Sequence, residues 1–227
     1  MPKLEDAPQV HETQKRLLDA AEALIAVHGI AGTSLREVTE LAGVNLALVK
    51  YHFGSKNGLV EAMLNRRLDP INKMRMALLD EVRRKHANGS MPLEEVLEAL
   101  IRPAVEMGLE NGKEGALFLR VFGRLFSEPA TFMIHIHKQM GKMVKLFDAA
   151  FEQALPGLSE SDMAWRKIAT LGVVQHSLLM LSMLDQLPKL IQLPIKMLKG
   201  TPSTDQVVAR LVAFSAAGMR AKVPSAQ

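Results

Sequence analysis

Thr33, Ser34, Arg36, Asn45, Lys50, Tyr51, His52 and Lys56 crowd into one short stretch of a 227-residue chain. Their chemistry is that of charge and hydrogen bonding rather than bond making. Thr33, Ser34, Tyr51, His52 and Lys56 fall near expected helix ends, where side chains and backbone N–H groups can meet phosphate oxygens. Lys56 stands in the first turn of its helix, so its charge adds to the positive end of the helix dipole. Arg36 and Lys50 add two more cationic donors. Together they suit the surface of a duplex.

Such residues work only if short helices hold them. Thr33 to Leu59 reads TSLREVTELAGVNLALVKYHFGSKNGL. Ser34 followed by Glu37 is a capping box and marks a helix start. Leu35, Val38, Leu41 and Ala42 form one apolar stripe at helical spacing. Gly43 stands where the chain must turn sharply, because glycine accepts positive φ without a steric penalty. Asn45 caps the next helix, Leu46 to Phe53. Gly54 ends it, and Ser55 caps a third. Two short helices across a glycine turn are the unit that lays a second helix in the major groove.

With these residues in view, the stretch from about 11 to 64 resembles the DNA-binding domain of TetR-type transcriptional regulators. The resemblance rests on the opening helix ending near Gly29, the Thr33-Ser34 start, the Ala42-Gly43-Val44 turn, the Tyr51-His52-Phe53 triplet, and Ser55-Lys56 before Leu59. It implies that Arg36, Leu46, Ala47, Leu48 and Lys50 face base edges, with Asn45 at the groove rim. Leu46, Ala47 and Leu48 would pack on thymine methyls. The wording VNLALVKYHFGSKNGL is also similar to a branch that senses fatty acids or acyl thioesters. The rest of the chain matches the family only in length and helical character.

Bulk charge adds little. The chain carries +4 with pI ≈ 9.4. Residues 1–60, however, hold six Lys/Arg and seven Asp/Glu. A duplex reading therefore depends on where Arg36, Lys50 and Lys56 sit. The basic run at 61–90, with Arg66, Arg67, Lys73, Arg75, Arg83, Arg84 and Lys85, is expected to be a solvated helix face.

A chain of this length holds one small and one larger domain with ample core. The expected division is a helix-turn-helix domain over 1–60, with 1–11 disordered, and a helical effector-binding and dimerisation domain over 61–227. Hydrophobic content of 48% argues against disorder. The absence of cysteine suits a reducing cytoplasm, the expected location. MPKLEDAPQV is polar and acidic, unlike a signal peptide. Residues 168–187 approach the length of a membrane span. Gln175, His176, Asp185 and Gln186 interrupt them, so burial between helices is expected and no membrane partner is.

Periodicity gives helices almost throughout, hence an all-α fold. Helix one runs over about Glu12 to His28. A long helix from Lys56 to Lys85 contains Pro70, which should kink or split it. Further helices are expected at Pro92–Met107, Glu114–Phe126, Ser127–Leu155, Ser159–Leu187 and Ser203–Arg220. Met107, Phe118, Phe122, Phe126, Phe132, Met133, Met140, Met143, Phe147, Met180 and Met183 give the second domain a soft, adaptable interior. Such a stripe is commonly plain core. A pocket is favoured by the few polar groups among these helices, including Trp165, Gln175 and His176. The expected lining is Met107, Phe118, Phe122, Met140, Met143, Trp165, Gln175, His176 and Met180, with Arg120 or Arg124 at the rim. The apolar run Leu178, Leu179, Leu181 and Leu184 is expected to pair with a second copy.

Bond-making chemistry has no visible apparatus. His135 and His137, two apart on a helix, point about 200° apart and cannot share one ion. There is no H-E-x-x-H, no G-x-S-x-G elbow and no Walker loop. No cofactor, metal or catalytic residue is expected. The sequence thus predicts a homodimeric regulator, most simply a repressor released from a palindromic operator by an apolar or amphipathic small molecule. A constitutive helix-turn-helix protein would instead show no effector response. An all-helical enzyme would show no salt-dependent DNA binding.

Overall fold

The computed structural model describes residues 7–125, 130–183 and 202–222, with side chains for 10–123, 140–183 and 202–222. Among the described residues there are nine α-helices and no strand. They are α1 (Ala7–Gly32), α2 (Leu35–Ala42), α3 (Leu46–Phe53), α4 (Lys56–Lys85), α5 (Leu93–Glu110), α6 (Gly112–Leu125), α7 (Ala130–Ala154), α8 (Glu160–Met183) and α9 (Thr204–Arg220). The described residues form two compact units. One lies within Met1–Pro70 and Arg120–Lys138, the other within Ile71–Leu119 and Gln139–Gln227.

In the first unit, Leu17, Ala21 and Ile25 of α1 are fully buried, as their spacing predicts. Gly29, at φ 73 and ψ 172, breaks the helical run where the sequence places its end. Val38 and Ala42 of α2, Val49 of α3 and Leu59, Val60 and Met63 of α4 complete the core. Glu22 lies in this apolar stripe. Arg66 Nη2 donates to its Oε2 at 2.5 Å, and Arg67 Nε to its Oε1 at 2.9 Å. Arg66 also reaches Asp19 at 2.6 Å.

These contacts correct the reading of the 61–90 basic run as a solvated face. Arg66 and Arg67 hold α4 to α1, Arg75 is buried, and Arg83 donates to the Leu146 carbonyl at 3.0 Å. Helix α4 also continues across Pro70 rather than splitting there.

In the second unit, α9 packs on α5 and α8, and α5 on α8. Val207, Val208, Leu211 and Val212 of α9 meet a core that includes Leu93, Val96, Leu97 and Ile101 of α5. Arg102 joins Glu98 of its own helix to Asp205 at the start of α9, and Arg220 at the end of α9 pairs with Glu94 at the start of α5. The Arg220 guanidinium holds the Glu94 carboxyl down near about 2. The α5–α6 corner depends on small residues. A Cβ on Gly115 would lie 2.4 Å from the Gly108 carbonyl oxygen, and one on Gly108 would meet the Leu119 side chain at 2.6 Å. Among the described residues no helix is long and apolar enough to cross a membrane.

Candidate nucleic-acid interface and effector unit

The capping chemistry expected from the sequence is present. Ser34 accepts from the Glu37 N–H at 3.2 Å, while Glu37 Oε2 accepts from the Ser34 N–H at 2.8 Å and its hydroxyl at 2.7 Å. Those bonds hold the Glu37 carboxyl below its ordinary range. Gly43 takes φ 62 and ψ 41, and its N–H returns to the Glu40 carbonyl. The Arg16 guanidinium donates to the carbonyls of Ala42 and Gly43, so α1 braces this turn from outside. A Cβ on Gly43 would lie 2.7 Å from Arg16 Nη2, a second reason for glycine there. Asn45 Oδ1 accepts from the Ala47 N–H at 2.8 Å and starts α3.

Val49 anchors α3 in the core, leaving an outer ridge of Leu46, Ala47, Lys50 and Tyr51, flanked by exposed Asn45. Leu48 is half-buried at the edge of this face. Tyr51 is 71% exposed, and His52 stands edge-on to its ring at 4.9 Å. Lys50 extends from the ridge into solvent. Arg36, on α2, is exposed and pairs with Glu40 at 3.1 Å. Such a surface helix pair is worth only about 0.3–0.5 kcal/mol. Arg36 can therefore exchange Glu40 for a base edge at little cost. Half-buried Lys56 opens α4.

Two expected phosphate contacts change meaning. Thr33 is only 3% exposed and its hydroxyl donates to the Gly29 carbonyl at 2.8 Å, so it closes the end of α1 instead. The Ser34 hydroxyl is committed both ways to Glu37 and meets a phosphate only by surrendering that pair.

The residues expected to line an effector pocket divide. Phe118 and Met143 are buried, and Met107, Phe122, Met140, Gln175 and Met180 are half-buried. Trp165 is not an inward residue: it is 71% exposed, and His176 is exposed on the same helix. Leu178 is 1% exposed within its own unit and offers nothing to a partner, a correction to its expected interface role. Leu179 and Leu181 are half-buried, and Leu184 lies outside the described residues, as do Phe126 and the side chains of Arg124, Phe132, Met133, His135 and His137.

The sequence reading overlooked the apolar residues that α8 and α9 do expose. These are Trp165, Ile168, Leu171 and Phe214. Their spacing at 165, 168 and 171 was the available signal. A cleft of about 250 Å³ also lies between α4 and α5, lined by Leu78, Val82, Lys85, Glu95, Glu98 and Arg102 among others. Four of its charged groups are already paired, Lys85 with Glu95 and Arg102 with Glu98.

The comparisons agree with this architecture. The family model "Bacterial regulatory proteins, tetR family" matches residues 17–63, and "Tetracyclin repressor-like, C-terminal domain" matches residues 98–218. A probable HTH-type transcriptional regulator ArpR of Pseudomonas putida is 32% identical over 87 residues, 31% of this chain and 41% of that protein. The HTH-type transcriptional regulator TtgR of the same species is 37% identical over 57 residues, 25% of this chain and 27% of that protein. The chain thus spans less than half the length of these curated relatives. A TetR-like transcriptional regulator from Rhodococcus sp. RHA1 shares the fold at TM-score 0.58 and 13% identity, covering 92% of this chain and 97% of that one. The fatty acid degradation regulator of Bacillus halodurans does so at TM-score 0.55 and 13% identity, covering 92% and 95%. A buried three-helix head with an outward α3 ridge, and a second family model covering more than half of the chain, place this protein in the TetR family of bacterial regulatory proteins.

Proposed function

We propose that the chain is a homodimeric, ligand-responsive transcriptional regulator that represses from a palindromic operator, with residues 1–60 reading DNA and the remainder serving dimerisation and effector binding. The observation that carries this reading is the α3 ridge of Leu46, Ala47, Lys50 and Tyr51, held outward by buried Val49. Selection from random duplexes should return an inverted repeat with half-sites about one helical turn, roughly 34–36 Å, apart. No salt-dependent affinity for any duplex would end the proposal.

Lys50 and Arg36 are assigned to base edges, and Tyr51, His52 and Lys56 to phosphates. Lys50→Ala should cost about 1–3 kcal/mol at one operator position and relax specificity there. An equal loss on random DNA, measured by anisotropy titration, would make Lys50 a phosphate contact instead. Lys56→Ala should weaken all DNA binding and flatten the slope of log K against log salt by about one unit. An unchanged slope removes it from the phosphate set.

The dimer is assigned to the exposed apolar face of α8 and α9. Trp165, Ile168 and Leu171 line one side of α8, and Phe214 with exposed Ala213, Ala217 and Gly218 lies on α9. Exposed apolar surface of this kind favours a partner. Two copies would form an isologous four-helix interface, and obligate interfaces commonly bury about 2,000 Å² or more. Ile168→Glu should give monomers in sedimentation at micromolar concentration. A dimer that survives Trp165→Glu and Ile168→Glu together would move the interface elsewhere.

The effector is proposed to be apolar or amphipathic. Supporting this are Met107, Phe118, Met140, Met143 and Met180 within the second unit, since methionine adapts to irregular apolar ligands. A fold neighbour described as a fatty acid degradation regulator points the same way. Release from DNA requires that the ligand bind one conformational state better than the other.

A further inference from the structure

Helix α2 has only eight residues, and its C-terminal end is where the chain turns toward the reading helix. The last four carbonyls of an α-helix lack partners within it. Here the Gly43 N–H returns to the Glu40 carbonyl at 3.1 Å, and the Val44 N–H to the Thr39 carbonyl at 3.0 Å. Those bonds are local. The Ala42 and Gly43 carbonyls are met from α1 instead. Arg16 Nη2 donates to both, to that of Gly43 at 3.2 Å. Arg16 stands 26 and 27 residues earlier in the chain. Its neighbour Leu17 is fully buried and fixes this part of α1 in the core.

The contact falls where the chain is least able to hold itself. Gly43 takes φ 62 and ψ 41. Glycine reaches that conformation without steric cost, and for the same reason sterics do not confine it there. The guanidinium lies so close that a Cβ on Gly43 would stand 2.7 Å from Nη2. Only Val44 and Asn45 separate Gly43 from Leu46, the first residue of α3. Peptide units are planar, so fixing the direction of the Ala42 and Gly43 carbonyls fixes the two planes that lead into this short link. Charge acts in the same sense. The C-terminal end of a helix carries partial negative charge and favours a cation. Helix α2 has no basic residue in its own last turn, so Arg16 brings one from α1.

We propose that Arg16 is a positioning residue for sequence reading: by holding these two carbonyls it sets the angle at which α3 presents Asn45, Leu46, Ala47 and Lys50 to the bases. This rests on the reading of α3 as the base-reading helix. Arg16 acts through the turn and touches no base. Its effect is selective. Base edges present a fixed pattern of donors and acceptors, so contacts to them demand a set angle. Phosphates repeat along the duplex and give affinity without sequence. Losing Arg16 therefore reduces discrimination between sequences more than affinity for DNA in general.

The test compares full-length wild type, Arg16→Met and Arg16→Lys by anisotropy titration on the selected operator and on random duplex, over a range of salt, with urea unfolding alongside. Arg16→Met should bind the operator about ten- to a hundredfold more weakly, the range of one lost base contact. Its affinity for random duplex should stay within about twofold of wild type, and its slope of log K against log salt should not change, because no phosphate partner is removed. Arg16→Lys, whose ammonium can still donate to the same carbonyls, should recover part of the loss. An equal loss on both duplexes, with a slope lower by about one unit, would make Arg16 a phosphate contact and overturn the proposal. Full operator affinity in Arg16→Met, whatever its unfolding midpoint, would reduce the contact to stability alone and overturn the proposal while the reading of α3 stands. Absence of salt-dependent binding by wild type would remove that reading itself. If Arg16→Met does not fold, Arg16→Lys decides the matter: a loss confined to the operator supports the proposal, and an equal loss on both duplexes, or none on either, overturns it.

Discussion

Glu22→Ala is expected to destabilise the first unit by about 3–5 kcal/mol, the usual penalty for removing one partner of a buried ion pair. The carboxylate is 2% exposed at its side chain and takes hydrogen bonds from two guanidinium groups, of Arg66 and Arg67. Its loss leaves two partly buried cations facing each other across a cavity. Arg66 keeps only Asp19, on the more exposed side. Glu22→Gln should recover the packing but not the charge and fall between alanine and wild type. Replacing all three residues by Leu, Met and Met should restore much of the stability, since a buried ionic cluster is often no better than an apolar one of similar volume. Urea unfolding followed by circular dichroism gives these differences. A loss below about 1 kcal/mol for Glu22→Ala would show that the carboxylate is solvated in solution and that its ion pairs do not hold α1 to α4.

How much of this was legible follows from the range of each interaction. Ser34, Glu37, Gly43, Asn45 and Gly54 act within a few residues of themselves, so caps and turns could be read directly, and the recognition ridge followed from where they set the register of α3. The inward stripe of α1 was legible for the same reason. Glu22 was the missed signal: an acid three residues before Ile25 in that stripe must find a cation, but its partners are 44 and 45 residues away. Trp165 was misplaced because α8 is apolar on most of its circumference, so periodicity could not say which side faces inward. Leu178 was misplaced for that reason too. Thr33 looked like a phosphate ligand from its place at a helix boundary, but the turn at Gly29 folds it inward.

Gly58→Ala should lose both stability and operator binding, although helix propensity alone predicts the reverse. Gly58 lies in the first turns of α4 and has no positive φ. At such a position alanine normally stabilises by up to about 1 kcal/mol. Here a Cβ would stand 2.1 Å from the Phe53 carbonyl oxygen and 3.2 Å from its carbon. The obstacle is backbone, at the last residue of α3, and that oxygen also accepts from the Ser55 N–H at 2.8 Å. It cannot rotate aside as a side chain would, so α3 must move relative to α4. Overpacking of this kind costs about 1–3 kcal/mol, which outweighs the propensity gain. The displaced element is the helix that carries Lys50 and Tyr51, so operator affinity should fall by more than stability alone explains, and by more on the selected operator than on random duplex. Gly141→Ala is the matched control, since a Cβ there meets nothing within 4 Å among the described residues and should stabilise α7. Thermal melts and anisotropy titrations on the two variants separate the effects. Gly58→Ala melting above wild type with full operator affinity would mean that the α3–α4 junction yields without disturbing the reading face, and that its close approach does not set the position of the recognition helix.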